Sequence, residues 1–181
     1  MTFVVDGTNG LTFNDSTTQS STATNASNIS SGTLGKARLP TGSVLQVVSA
    51  TLSSVVSTSS STFSDTGLSA SITPSSTSNK ILAFISVNGC YKFATDTCVK
   101  TQLVRGSTVI SYIDDITGYT GAANTTGSTL SFNYLDSPST TSSTTYKVQF
   151  GTDINGRGVS INNYANGPGS VSAITLMEIA A

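Results

Sequence analysis

Four aspartates, Asp114, Asp115, Asp136 and Asp153, are the side chains with which this sequence could cut a glycosidic bond. That chemistry needs two carboxylates facing each other across the bond, one acting as acid and one as base or nucleophile. Asp114 and Asp115 are neighbours and would point to opposite faces of a strand. Asp136 stands in "LDSP", where an aspartate commonly caps a turn. No pair stands out. Acyl transfer is further off: the 181 residues include no histidine, and no Ser-x-x-Lys replaces the missing base. The phosphate cradles GxxxxGK[ST] and GxGxxG are absent too. "DINGRG" at 153–158 has some likeness to a calcium loop but lacks the later bidentate glutamate, and a tight turn explains it better. The expectation is a protein without catalysis, cofactor or metal.

Cys90 and Cys98 bracket "CYKFATDTC", with strand-like sequence on either side. Across a hairpin centred on Ala94 they would face each other, within reach of a disulfide. The other reading is two small buried hydrophobes that stay reduced. For binding, the informative residues are aromatics in loops. Tyr91 and Phe93 fall in the expected hairpin tip, Tyr119 in "TGYTGAANTTG" and Tyr164 beside "NGPG". Sugar faces stack on such rings while asparagine and aspartate bond the hydroxyls. The plain alternative is that half or more of these rings only pack the core or its rim.

The elements that would position these residues are strands. "TTYKVQF" (144–150) alternates, with Tyr146, Val148 and Phe150 facing a core and Lys147 and Gln149 facing out. "LSFNY" (130–134) does the same with Leu130, Phe132 and Tyr134. "ILAFISV" (81–87) and "AITLMEI" (173–179) hardly alternate, so both of their faces need cover. Further strands are expected at 44–50, 68–73, 98–104, 109–113 and 159–164, a spacing of about ten residues that suits a sandwich or barrel. "TPSSTSNK", "VRGST", "DINGRG" and "ANGPG" supply the turns. No helical stripe is present. The fold class expected is all-β, an antiparallel jelly-roll-like sandwich of about eight strands over residues 42–181. Residues 1–41 are sparse in apolar side chains and read as an extended N-terminal arm that must dock on something to be ordered.

Composition narrows the partners. With 8 basic and 9 acidic residues and a net charge of -1, no field exists to hold nucleic acid or an anionic membrane surface. Charged residues are 9% of the chain, against roughly 25% ordinarily. Serine and threonine fill the gap at about a third of the sequence, which suits exposed strand faces and disfavours helix interiors. No apolar run reaches transmembrane length, so membrane insertion is not expected. "MTFVVDGTNG" has neither a basic nor an apolar leader region, so a secretory signal is not expected either.

"GLTFNDSTTQSS" at 10–21 resembles the Gly-Leu-Thr-Phe-x-Asp-x-Thr-x-Gln motif of bacteriophage tail-fibre proteins. "NASNISSGTLGKARLP" at 25–40 resembles a second segment of the same proteins, Ala-Ser-Asn-Ile-Ser-Ser-Gly-Thr-Leu-x-x-Ala-Arg-Leu-Pro. "GLSASITPSSTSNKILAFISV", "LVRGSTVI", "YLDSPSTTSSTTYKVQF" and "ITLMEIAA" look like the terminal domain of marine and cyanobacterial phage fibres. The resemblance implies a homotrimeric virion surface protein, assembled in the host cytoplasm and released by lysis. It would bind other virion proteins through the arm, where Leu11, Phe13, Ile29, Leu34, Lys36, Arg38 and Leu39 are the docking candidates. A short tail fibre or adhesin for host-surface carbohydrate is the expected role. A capsid decoration protein or head fibre is the alternative, because only about 40 residues precede the body. A carbohydrate-cleaving tailspike comes third.

Overall fold

The computed structural model describes residues 4–6, 10–12, 18–19, 35–117, 119–121, 126–163 and 169–181, of which 4–19, 37, 113–117 and 126 are described by backbone alone. Its contacts divide the chain into two units, Met1–Arg38 and Leu39–Ala181. In the first unit β1 (Val4–Asp6), β2 (Gly10–Thr12) and β3 (Thr18–Gln19) form a small antiparallel sheet in that order. A short 3-10 turn follows at Lys36–Arg38.

The second unit is all-β. Its strands are β4 (Val44–Leu52), β5 (Val56–Thr58), β6 (Ser64–Ile72), β7 (Lys80–Lys92), β8 (Val99–Arg105), β9 (Thr108–Thr117), β10 (Thr126–Asp136), β11 (Thr144–Thr152), β12 (Val159–Ile161) and β13 (Ser172–Ile179). One sheet runs β4-β13-β7-β10, with the short β12 and β5 continuing beside the far end of β7; the other runs β6-β11-β8-β9. Setting β5 and β12 aside and numbering the remaining eight strands along the chain, the sheets read 1-8-3-6 and 2-7-4-5, all pairs antiparallel. That is jelly-roll connectivity. Of the seven connections between these eight strands, only Gly106 and Ser107 between β8 and β9 make a hairpin; the other six cross from sheet to sheet.

Alternation decides what the sheets bury. Tyr146, Val148 and Phe150 of β11 are 0%, 0% and 1% exposed, and they meet Ile81, Ala83, Ile85 and Val87 of β7 and Ile174 and Leu176 of β13 in one core. Phe132 and Tyr134 pack against its edge. The strands expected to be covered on both faces are fully covered on the inner one; on the outer side, among the described residues, Leu82 and Met177 are half-buried and Phe84 is exposed. Two bulges disturb the pattern. In β6, Thr66, Gly67 and Leu68 stand opposite Val148 alone; Gly67 takes φ +89, and Thr66 Oγ1 donates to Val148 O at 2.7 Å in place of a ladder bond. In β7, Asn88 and Gly89 oppose Thr129, which swaps the side-chain parity. Cys90 and Lys92 therefore face inward where odd-numbered residues did before.

This bulge and crossover overturn the hairpin expected at 90–98. The chain leaves one sheet after Lys92 and enters the other at Val99, so Cys90 and Cys98 do not oppose each other across a ladder. Both are buried, and no disulfide joins them.

Candidate functional site at the loop end of the sandwich

The two ends of the second unit differ. The chain comes in at Leu39 and leaves at Ala181 at one end, where Gly42 N donates to Ala180 O (2.8 Å) and Ala180 N to Ser43 O (2.9 Å). The connections there are 73–79, 106–107 and 137–143. The other end gathers the long ones, 53–63, 93–98, 118–125 and 153–171, which include β5 and β12. β7 spans the distance between the ends in thirteen residues, about 40 Å at strand rise.

Three of the long connections are tied together by polar contacts. Lys92, 1% exposed, donates from Nζ to Thr120 O at 2.6 Å, and Asp96 N donates to the same carbonyl at 3.0 Å. The Arg157 guanidinium donates to Thr95 O and, at 3.0 Å, to Asp96 O, with the Asp96 carboxylate 3.6 Å away. Phe93 N donates to Gly158 O at 2.9 Å. Asp96 sits at φ +48, a left-handed conformation that aspartate tolerates better than most residues. These bonds hold the backbone at Phe93, Asp96 and Thr120 in place; loops fixed in this way have less to order in making a contact.

Of the four aromatics singled out from the sequence, Phe93 (47% exposed) and Tyr119 (46%) stand out from this tied cluster. Tyr91 is half-buried on the outer face of β7, two residues before Phe93. Tyr164 lies outside the described residues. Among the docking candidates, Lys36 and Arg38 are exposed at the two ends of the 3-10 turn and Leu39 is half-buried. Leu11 is placed in β2 by its backbone; its side chain and Phe13, Ile29 and Leu34 lie outside the described residues. Lys92, Asp96, Thr120 and Arg157 were not legible as a cluster. Only the Gly89 bulge turns Lys92 inward, and the sequence marks that bulge by nothing more than a glycine in a strand.

Asp136 and Asp153 are not placed as a catalytic pair. Asp136 does not cap a turn: it is 6% exposed and engaged by Arg105 and Tyr146. Asp153 is at the loop end, 3.8 Å from Lys100 Nζ. The run of β11 separates the two by about 25 Å, whereas glycoside cleavage needs about 5–9.5 Å. The side chains of Asp114 and Asp115 lie outside the described residues. Burial pushes the Cys90 thiol up to about 12, so no thiolate is available there at neutral pH. Among the described residues no three of His, Cys, Asp and Glu come together as a metal site, and no helix is long and apolar enough to cross a membrane.

Fold and site together define a jelly-roll sandwich that presents aromatic side chains from a cross-tied loop end. No family of known sequences matches the chain, and no curated protein does. Among solved structures, the infectious bursal disease virus VP2 subviral particle is similar at a TM-score of 0.41 and 13% identity, over 75% of this chain and 38% of that one.

Proposed function

We propose that this chain is a bacteriophage virion surface protein, a short tail fibre or adhesin that contacts host-surface glycans and does not cleave them. The observation that carries the reading is the placement of Phe93 and Tyr119. They project from loops fixed by Lys92 and Arg157, at the end of the sandwich opposite the one where the chain arrives from its fibre-like motifs. The arm motifs support a virion location reached by assembly in the host cytoplasm and release by lysis. One exposed ring stacking on a sugar contributes about 1 kcal/mol, so useful affinity needs several copies.

The copies proposed are three. On the outer face of the first sheet Val47, Met177, Leu82 and Leu135 stand in one row across four strands, with Phe84 in the next. Val47 and Leu135 are half-exposed, and no charge interrupts the row, so a lone subunit leaves an apolar band open. Light scattering at micromolar concentration should return three times the 18.5 kDa chain mass. A monodisperse monomer would refute the trimer.

Purified protein should bind host cells and block infection, and Tyr119→Ala should lower cell binding at least fivefold through the three-copy effect. Failure to bind cells, with heat-labile but infectious particles on deletion, would instead support a capsid decoration protein. Release of oligosaccharide from host envelope would support the carbohydrate-cleaving spike.

A further inference from the structure

We infer that the outer face of the first sheet carries a subsite for a single neutral sugar ring, built on Tyr91. This rests on the adhesin reading and gives it a place and a ligand class. Tyr91 faces outward near the end of β7, between Gly127 of β10 and Ser160 of β12. Its ring lies on bare backbone: a Cβ at Gly127 would stand 2.5 Å from Tyr91 Cζ and 2.8 Å from its hydroxyl oxygen. Beside the ring opens a groove of about 240 Å³ lined by Gly89, Tyr91, Gly127, Ser128, Thr129, Asn163 and Ser170. Gly89 is at φ +56, and a Cβ there would fall 2.3 Å from Asn163 O and 3.0 Å from Ser170 Oγ. Only glycine lets those two residues close in. Asn163 is held by its own N–H to Gly89 O (3.1 Å) and by its Nδ2 to Ser160 Oγ (3.1 Å).

The lining selects its ligand by chemistry. It offers one flat aromatic ring, three aliphatic hydroxyls and a carboxamide, and none of the seven residues carries a charge. A carboxylated or phosphorylated ligand would lose water with no opposite charge in return. A purely apolar ligand would leave the hydroxyls and amide unmatched. A neutral pyranose satisfies both halves, with its C–H face on the tyrosine and its hydroxyls toward Thr129, Asn163 and Ser170. The volume is below the roughly 300–1,000 Å³ of pockets for drug-sized ligands, which suits one ring and not a chain of them.

Saturation-transfer NMR on the intact protein tests this, with methyl glycosides of glucose, galactose, mannose and N-acetylglucosamine as probes against glucuronate and sialic acid. At least one neutral glycoside should bind at millimolar concentration and both acids should not. Tyr91→Ala should weaken that binding at least fivefold, while Tyr91→Phe, which keeps the platform, stays within twofold. Gly127→Ala should weaken it as well, because its Cβ displaces the ring. The subsite is overturned if no neutral glycoside binds, if the acids bind as well, or if Tyr91→Ala has no effect. Should Tyr91→Ala fail to fold, Gly127→Ala and Tyr91→Phe decide. Host-cell binding lost with Tyr119→Ala but not with Tyr91→Ala would remove the subsite and leave the adhesin. Glycosides bound at Tyr91 by a protein that ignores host cells would do the reverse.

Discussion

Replacing Asp136 by alanine should cost about 3–5 kcal/mol of folding stability, the usual loss when one member of a buried ion pair is removed. Arg105 Nη1 lies 2.7 Å from each carboxylate oxygen of Asp136, and Tyr146 donates its hydroxyl to Oδ2 at 2.6 Å. Asp136 ends β10 in one sheet; Arg105 ends β8 and Tyr146 lies in β11 of the other. The group therefore bolts the two sheets together at the end of the second unit where its chain enters and leaves. Burial, with the Asp136 carboxylate beside it, raises the Tyr146 hydroxyl pKa well above the ordinary tyrosine value, so it stays a donor. Without Asp136 a fully buried hydroxyl and a mostly covered guanidinium lose their acceptor. Urea unfolding should show the lower midpoint at an unchanged slope. Tyr146→Phe alone should cost about 1–2 kcal/mol, and the double variant less than the sum of the two. A loss under about 1 kcal/mol for Asp136→Ala would mean that the pair is dispensable.

Glu178→Gln should destabilise the protein by about 2–3 kcal/mol at pH 7 and flatten its acid response. Glu178 is 0% exposed. Its Oε1 accepts from Ser75 N (2.6 Å), Ser75 Oγ (2.7 Å) and Asn79 Nδ2 (2.6 Å), and its Oε2 from Gln46 Nε2 (2.6 Å). Burial works to raise its pKa, but the bonds from Asn79, Ser75 and Gln46 outweigh it and hold the group at about 2, against 4.5 ordinarily. A depressed folded-state pKa means that the unfolded chain takes up the proton first. The stabilisation is therefore complete above pH 4.5 and drains away as pH falls toward 2. Glutamine turns one acceptor into a donor facing other donors, and it has no proton to gain. The gap between wild type and Glu178→Gln should be widest at neutral pH and shrink between pH 4.5 and 2. Parallel stability curves across that window would refute the assignment.

Much of the body was legible because a strand half-buried in a sandwich must alternate. Tyr146, Val148 and Phe150 announce the inner face of β11 without help from any other segment, and "VRGST" announces the β8–β9 hairpin. Connectivity was not legible at 90–98. A turn-rich stretch between two strands reads the same whether the chain folds back in one sheet or crosses to the other, and only the partners of β7 and β8 decide. Strand starts were missed where a bulge hides the period, as at Gly67, which delays the apparent onset of β6 by four residues. The outer cover expected for 81–87, from a loop, the arm or another subunit, is incomplete among the described residues of the Leu39–Ala181 unit: Leu82 is half-buried and Phe84 exposed. At the candidate site, Phe93 and Tyr119 could be named as exposed loop aromatics. Their fastening by Lys92 and Arg157 rests on contacts between residues about 30 and 60 positions apart, which no local pattern encodes.

The antiparallel pairing of β4 with β13 also sets how the body responds to pulling. The chain arrives at the start of β4, while the loop end lies at the far side of the same strands, so a load between anchor and held loops runs along the strand direction. The ladder from Val44–Ile179 to Leu52–Ser172 would then be strained in shear, with all its hydrogen bonds sharing the force at once. The same ladder peeled from one end would part bond by bond at a far lower force.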